Sequence, residues 1–262
     1  MNLNLEAIAA ISQKHVPLFG LAALRASGLA ITAPMFAHYA LPRSVRNWLM
    51  LSMVFALYPT MNIVMPTGVA LPLVIAQELA IGILMGFVAG TVVLVGTYAG
   101  RLAGVQMGFG MASVVDPAQG EEGAQLDRLQ SLIMLVVFVS LGGHLVMIGA
   151  LHKSYLLAPI GTPIAPVDLI DGFLTLMFGM FRSALEIAAP FLVTTMLVEV
   201  GLGILARSAP QINIMNVGFG VRIFVGLIVI VVFLPVYVLI ASHYVETIPG
   251  HLSSLIQALG EN

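Results

Sequence analysis

From Val69 to Val115 the chain carries only two charged residues, Glu78 and Arg101, in a run more than twice the length needed to cross a bilayer as a helix, about 20 residues. Other apolar stretches run from Val16 to Leu41, Trp48 to Met65, Leu129 to Leu151, Leu169 to Ala206 and Val217 to Ala241. Backbone groups in lipid must pair internally, and no ten-residue alternation of the kind seen in outer-membrane barrels is present. The expected fold is all-α: a polytopic helical membrane protein. The two longest runs leave open a pair of segments each or one strongly tilted helix. Composition agrees, since 60% of the 262 residues are hydrophobic and 8% are charged, with a mean hydropathy of +1.05. Such a chain lacks the polar surface to cover itself and must bury apolar area in lipid, in partner subunits or in both.

Several classes fall away. A net charge of −2 gives no basic excess for nucleic acid, and without cysteine there are no disulfides or thiolate metal sites. The six histidines form no His-Glu-x-x-His, there is no Walker loop and no Gly-x-Ser-x-Gly elbow, so no enzyme, cofactor or metal site is expected. Met1 to Pro17 carries Glu6 where a signal peptide is positive, and reads as a retained amphipathic helix. Short joints rich in proline or glycine separate the runs: Pro42 to Arg46, Pro66 to Gly68, Asp116 to Arg128, Ala158 to Pro166 and Ser208 to Asn213. No linker sets off a soluble part, so residues 1–262 are expected to form one domain.

Glycines recur every fourth residue at Gly82, Gly86 and Gly90, and again at Gly96, Gly100 and Gly104. On a helix that spacing keeps small residues on one face, where another backbone can approach closely. Generic packing inside a bundle and a face kept for other subunits both fit. Among the ionisable residues in apolar runs, Arg182 and Glu186 stand one turn apart and are expected to neutralise each other. Glu78 and Glu199 have no local partner and are expected to face water or an arginine of a partner rather than to relay protons.

The segment Val105 to Arg128 is the oddest. Its first half is apolar and glycine-rich (Met107, Gly108, Phe109, Gly110, Met111); its second half breaks at Asp116-Pro117 and continues through Gly120 and Gly123. Read alone, it is an interhelical loop that begins in a frayed helix end.

Three stretches, RLAGVQMGFGMASVVDP (Arg101–Pro117), LGGHLVMIGALHKSYLLAPIG (Leu141–Gly161) and GLGILARSAPQINIMNVGFGVRIFVG (Gly201–Gly226), together with LPRSVR (Leu41–Arg46), resemble the FliR/SctT family of type III secretion export-gate proteins. The likeness covers nearly the whole chain in the family's order, and Val115-Asp116-Pro117 and Ala209–Asn213 resemble its flagellar branch more than the injectisome (SctT-type) branch. The chain departs from the family's pattern at Gly142-Gly143-His144, where Asn-Gly-His is common, and at Glu199 and Ala124, where Asn and Pro are frequent.

The resemblance implies a single-copy chain packed with FliP-like and FliQ-like subunits in a helical export gate. Residues from about 1 to 180 would be FliP-like and those from about 181 to 262 a FliQ-like helical hairpin. It implies further partners that are FlhA-like and FlhB-like, unfolded flagellar proteins as cargo, contact with membrane lipid, and a place in the bacterial inner membrane at the flagellar basal body. It implies that much of the assembly stands outside the usual bilayer plane, so apolar helices there are covered by subunits, and the glycine ladder becomes a subunit-packing face. Finally, it lays the family's pore plug on Met107, Gly108, Phe109, Gly110, Met111, Asp116, Pro117, Gly120 and Gly123. Glycines let such a loop turn within a lumen, methionine repacks around irregular partners, and an apolar constriction closes a pore by dewetting. A secondary transporter, with glycine- and proline-broken segments and buried carboxylates, is the competing class, and an ungated assembly scaffold is a third.

Overall fold

A computed structural model describes residues 3–37, 42–61, 70–108, 125–161, 166–209, 211 and 214–260. Among them there are helices and turns and no strands. The helices are α1 (Leu3–Thr32), α2 (Pro34–Ala37), α3 (Arg43–Leu57), α4 (Leu71–Met107), α5 (Gln125–Ser140), α6 (Gly143–Leu157), α7 (Pro166–Ser208) and α8 (Ile214–Gly260); a 3-10 turn, Tyr58–Thr60, follows α3.

The longest runs resolve into continuous helices, not pairs. α4 has 37 residues, α7 43 and α8 47, so each is far longer than the ~30 Å hydrocarbon core requires at 1.5 Å per residue. Pro166 opens α7 at its first position, where no intrahelical N–H is needed, whereas Pro17 and Pro190 lie inside α1 and α7. The run from Leu129 to Leu151 behaves differently. It breaks at Leu141-Gly142, where Gly142 takes φ 77° and ψ 18°, a left-handed conformation open to glycine at little cost. The Leu141 N–H still donates to Val137 O (3.0 Å), and the Gly142 carbonyl then starts α6 by accepting from Leu145 (2.8 Å) and Val146 (3.1 Å).

By length and composition, His15–Thr32, Leu71–Met107, Ile170–Ser208 and Val217–Ser254 can each cross a membrane, and α5 with α6 make a fifth if the broken pair counts as one span. Their cover differs. Over half of the α4 stretch (56%) is buried within the chain, against 22% for α7 and 28% for α8. The apolar surface of α7 and α8, including Phe178, Val231 and Leu239, is therefore left for lipid or other subunits.

By packing, the chain divides into two compact units. The first comprises Met1–Gly90, Gly142–Leu176 and Val245–Asn262, the second Thr91–Leu141 and Met177–Tyr244. In the first, α1 and α4 come into backbone contact. A Cβ built on Gly82 would strike the Arg25 carbonyl, one on Gly86 the Leu29 carbonyl and Thr32 hydroxyl, and one on Gly28 the Leu79 carbonyl. In the second, α4 meets α5 in the same way. A Cβ on Gly96 would lie 2.7 Å from Gln130 O, and one on Gly100 2.6 Å from Leu126 O. The glycine ladder is thus a close-packing face, but at Gly82, Gly86, Gly96 and Gly100 its partners are helices of the same chain. The space that a second subunit would need there is already filled. Gly90 has looser cover, with Thr32 O at 3.3 Å.

Candidate functional site

Two constellations stand out, one in each unit. In the second unit, the described residues end and resume on either side of segment 109–124. α4 runs to Met107, a side chain with no solvent exposure. Met107 lies against Gly226 of α8, where a Cβ would collide with its Sδ and Cε atoms; the missing side chain makes room for the thioether. Gly108 then leaves the helix with φ +92°, its N–H donating to Val105 O (3.2 Å). A Cβ there would stand 3.3 Å from the Phe219 ring. Both the dihedral and the ring favour glycine at this exit.

The chain re-enters at Gln125, and Leu126 joins Met107, Ala103, Phe191, Val229 and Ile230 in one buried cluster. The next residue, Asp127, holds the same corner electrostatically: Arg101 Nε lies 3.4 Å from its Oδ2. Segment 109–124 is consequently anchored at both ends in one core, by a methionine on one side and a leucine on the other, with the Gly100–Leu126 contact locking the two helices together. Of the residues expected to form the plug, Met107 and Gly108 belong to this root. Phe109, Gly110, Met111, Asp116, Pro117, Gly120 and Gly123 lie outside the described residues.

The second constellation lies in the first unit. Glu78 does not face water or another chain: it forms a two-pronged ion pair with Arg25 of α1, Nε to Oε2 at 2.7 Å and Nη2 to Oε1 at 3.0 Å, with both side chains fully buried. Arg25 also donates through Nη2 to Ala158 O (3.0 Å) and through Nη1 to Ser154 Oγ (3.1 Å). Its guanidinium sits 4.4 Å from the centre of the Tyr155 ring, and the Tyr155 hydroxyl donates to Ala22 O at 2.8 Å. The fork geometry of a guanidinium suits this use. One arginine thereby ties α1, α4 and the end of α6 into one polar core.

Arg25 escaped the sequence reading although it stands in the apolar run from Val16 to Leu41. Its signal is the one Glu78 carries, an ionisable side chain inside an apolar run. Its pairing is invisible to helical spacing because the partners are 53 positions apart. The remaining charges are more ordinary. Arg182 pairs with Glu186 on one helix face at 3.0 Å, both exposed. Glu199 lies 3.5 Å from Arg222, an arginine of this chain. Among the described residues no group of three or more His, Asp or Glu side chains is placed to hold a metal ion.

Relatives bear on these features. The chain is 29% identical over 242 residues to the flagellar biosynthetic protein FliR of Escherichia coli strain K12, covering 90% of this chain and 91% of that protein. To FliR of Bacillus subtilis strain 168 it is 24% identical, covering 93% and 96%. It is also 26% identical over 220 residues to the Yop proteins translocation protein T of Yersinia pestis, covering 82% and 84%. The profile of a family described as bacterial export proteins, family 1, matches residues 16–248. That span takes in the Arg25–Glu78 core and both anchors of segment 109–124, and the chain belongs to the bacterial export proteins, family 1.

Proposed function

We propose that the chain is a core component of a type III protein export gate, assembling as a single copy with FliP-like and FliQ-like subunits around a pore for unfolded proteins, and that Met107 to Gly123 plugs that pore. The flagellar branch fits best, since the Escherichia coli and Bacillus subtilis FliR proteins align over 90% and 93% of the chain, against 82% for the Yersinia protein. The setting is then the bacterial inner membrane at the flagellar basal body, with FlhA-like and FlhB-like neighbours. An injectisome gate is the second reading, favoured by the 26% identity to the Yersinia translocation protein. The division into a FliP-like part, about 1–180, and a FliQ-like part, about 181–262, belongs to the same proposal.

The observation that carries the plug assignment is the shared core of Met107 and Leu126. A segment that must stay in a lumen against a passing chain needs fixed ends and a free middle, and buried anchors supply the first. The apolar faces of α7 and α8 supply area for neighbouring subunits.

The anchors dictate the experiment. Removing Met107 would damage the core, so the deletion should span 109–123 and join Gly108 to Ala124 through a short Gly/Ser linker. The complex should still assemble, and cells should leak small ions. Assembly with wild-type conductance would refute the plug. Failure to assemble with partners, with the chain itself folded, would instead favour the scaffold reading.

A further inference from the structure

In the second unit, α7 carries an ion pair on the side turned away from the chain's own core. The buried side chains Met180, Ala184, Ile187 and Phe191 mark the inward face. At about 100° per residue, Arg182 stands opposite to them, between the exposed Phe178 and Leu185 and in line with the exposed Val193 and Val200. Its side chain is 83% exposed and that of Glu186 49%. A guanidinium donates through every one of its nitrogens, yet here only Nε donates, to Glu186 Oε1 at 3.0 Å. Its Nη groups have no acceptor among the described residues.

Neither lipid nor water suits that face. Ile170–Ser208 is long and apolar enough to cross a membrane, but any stretch of about 20 residues taken from it includes Glu186 or Glu199. Both carboxylates are partly exposed, 49% and 43%. Wherever a bilayer lay along α7, an exposed ion pair would meet acyl chains, which offer its donors no acceptor. Water would satisfy the charges but leave Phe178, Leu185, Val193 and Val200 bare, the kind of patch that marks an interaction site. α8 carries no such restriction. Between Arg222 and Glu246 it holds no Asp, Glu, Lys or Arg, so its exposed Val231 and Leu239 can face lipid. An apolar face with an ion pair at its centre matches a protein surface, where fixed polar groups meet the charge and side chains cover the rest.

We propose that the Arg182–Glu186 face of α7 docks a helix of a different, neighbouring subunit, apolar along the contact and presenting an oxygen acceptor to the Arg182 Nη atoms. Arginine suits the task because its planar fork can serve acceptors on two helices at once. The bond to Glu186, one turn on, holds the Nε edge and leaves the Nη edge for the partner. The partner's identity rests on the assembly reading above; the plug assignment is not used.

The test uses the full chain co-expressed with its FliP-like and FliQ-like candidates, with photoreactive benzoylphenylalanine in place of Phe178 or Val193. Irradiated membranes should yield a crosslink to one of the co-expressed subunits, identified by mass. Lipid adducts alone, or a crosslink only to a second copy of this chain, would overturn the docking face. The native mass of the same extract separates two failures. A complex that forms without these crosslinks sinks the docking face alone, whereas a chain free of both partners sinks the assembly reading and this inference with it. Arg182→Met should lower recovery of the crosslinked subunit at least about tenfold, while the isolated chain keeps its unfolding midpoint. Arg182→Lys should restore part of that recovery. Wild-type recovery by Arg182→Met would refute the oxygen acceptor. If the midpoint falls with Arg182→Met, the crosslinks decide.

Discussion

Replacing Glu78 by leucine removes the carboxylate that accepts two of the four hydrogen bonds made by Arg25 and leaves a guanidinium in a pocket with no solvent access. Ser154 Oγ and Ala158 O still accept, but neither carries charge. Breaking a buried pair from one side costs about 3–5 kcal/mol, because the surviving charge stays desolvated. Arg25→Met fails from the other side: Glu78 is left with the Gly161 N–H at 3.4 Å, and the contact with the Tyr155 ring is lost. With about 2–4 °C of melting temperature per kcal/mol for chains near this size, each single change should lower the midpoint by about 6–20 °C. The double variant Arg25→Met/Glu78→Leu should cost less than either single change. It removes both charges together and forfeits mainly the hydrogen bonds to Ser154 and Ala158, about 0.5–1.5 kcal/mol each. A charge swap, Arg25→Glu/Glu78→Arg, should not rescue, since those two oxygens then meet a carboxylate. Thermal unfolding of the purified chain, followed through helical circular dichroism, measures all four. Additive losses in the double variant, or single changes that move the midpoint by less than about 2 °C, would refute the view that this pair holds α1, α4 and α6 together.

Three further outcomes follow from the same packing. Gly82→Ala should separate α1 from α4 and destabilise the chain, whereas Gly201→Ala, whose Cβ meets nothing within 4 Å, should leave it as stable or raise stability by up to about 1 kcal/mol; thermal unfolding compares the two. Gly108→Ala forces an L side chain to φ +92° beside Phe219, at about 1–2 kcal/mol, and should raise ion conductance in cells while the complex still assembles. Charge reversal at Arg182 or Glu186, exposed partners on one helix, should change stability by no more than about 0.5 kcal/mol, so a loss of export there would report a subunit contact instead.

Much of the fold was legible because hydrophobic run length is a coarse property that survives any detail of packing. The all-α expectation and the positions of the main runs stand. Val69 to Val115 and Leu169 to Ala206 were ambiguous between one segment and two, since nothing in an apolar stretch marks where a helix must stop. The stop inside Leu129 to Leu151 had a marker, Gly142-Gly143, yet its meaning depends on a left-handed dihedral that composition does not encode. The glycine spacing announced a close-packed face, but spacing describes one helix and is silent about which helix comes to meet it. Glu78 shows the same limit: its place in an apolar run was readable, whereas its burial against a partner 53 positions away was not. For the plug, the readable part was the resemblance across Arg101 to Pro117. The anchors, Met107 against Gly226 and Leu126 in the same cluster, are tertiary facts with no local signature.

The central claim is that this chain is one component of a heteromeric export gate. Its most direct test is the native mass of the detergent-extracted chain co-expressed with its FliP-like and FliQ-like candidates. One copy of this chain among several copies of each of the others is the expected result. A homo-oligomer, or a chain that is purified free of both, would contradict it.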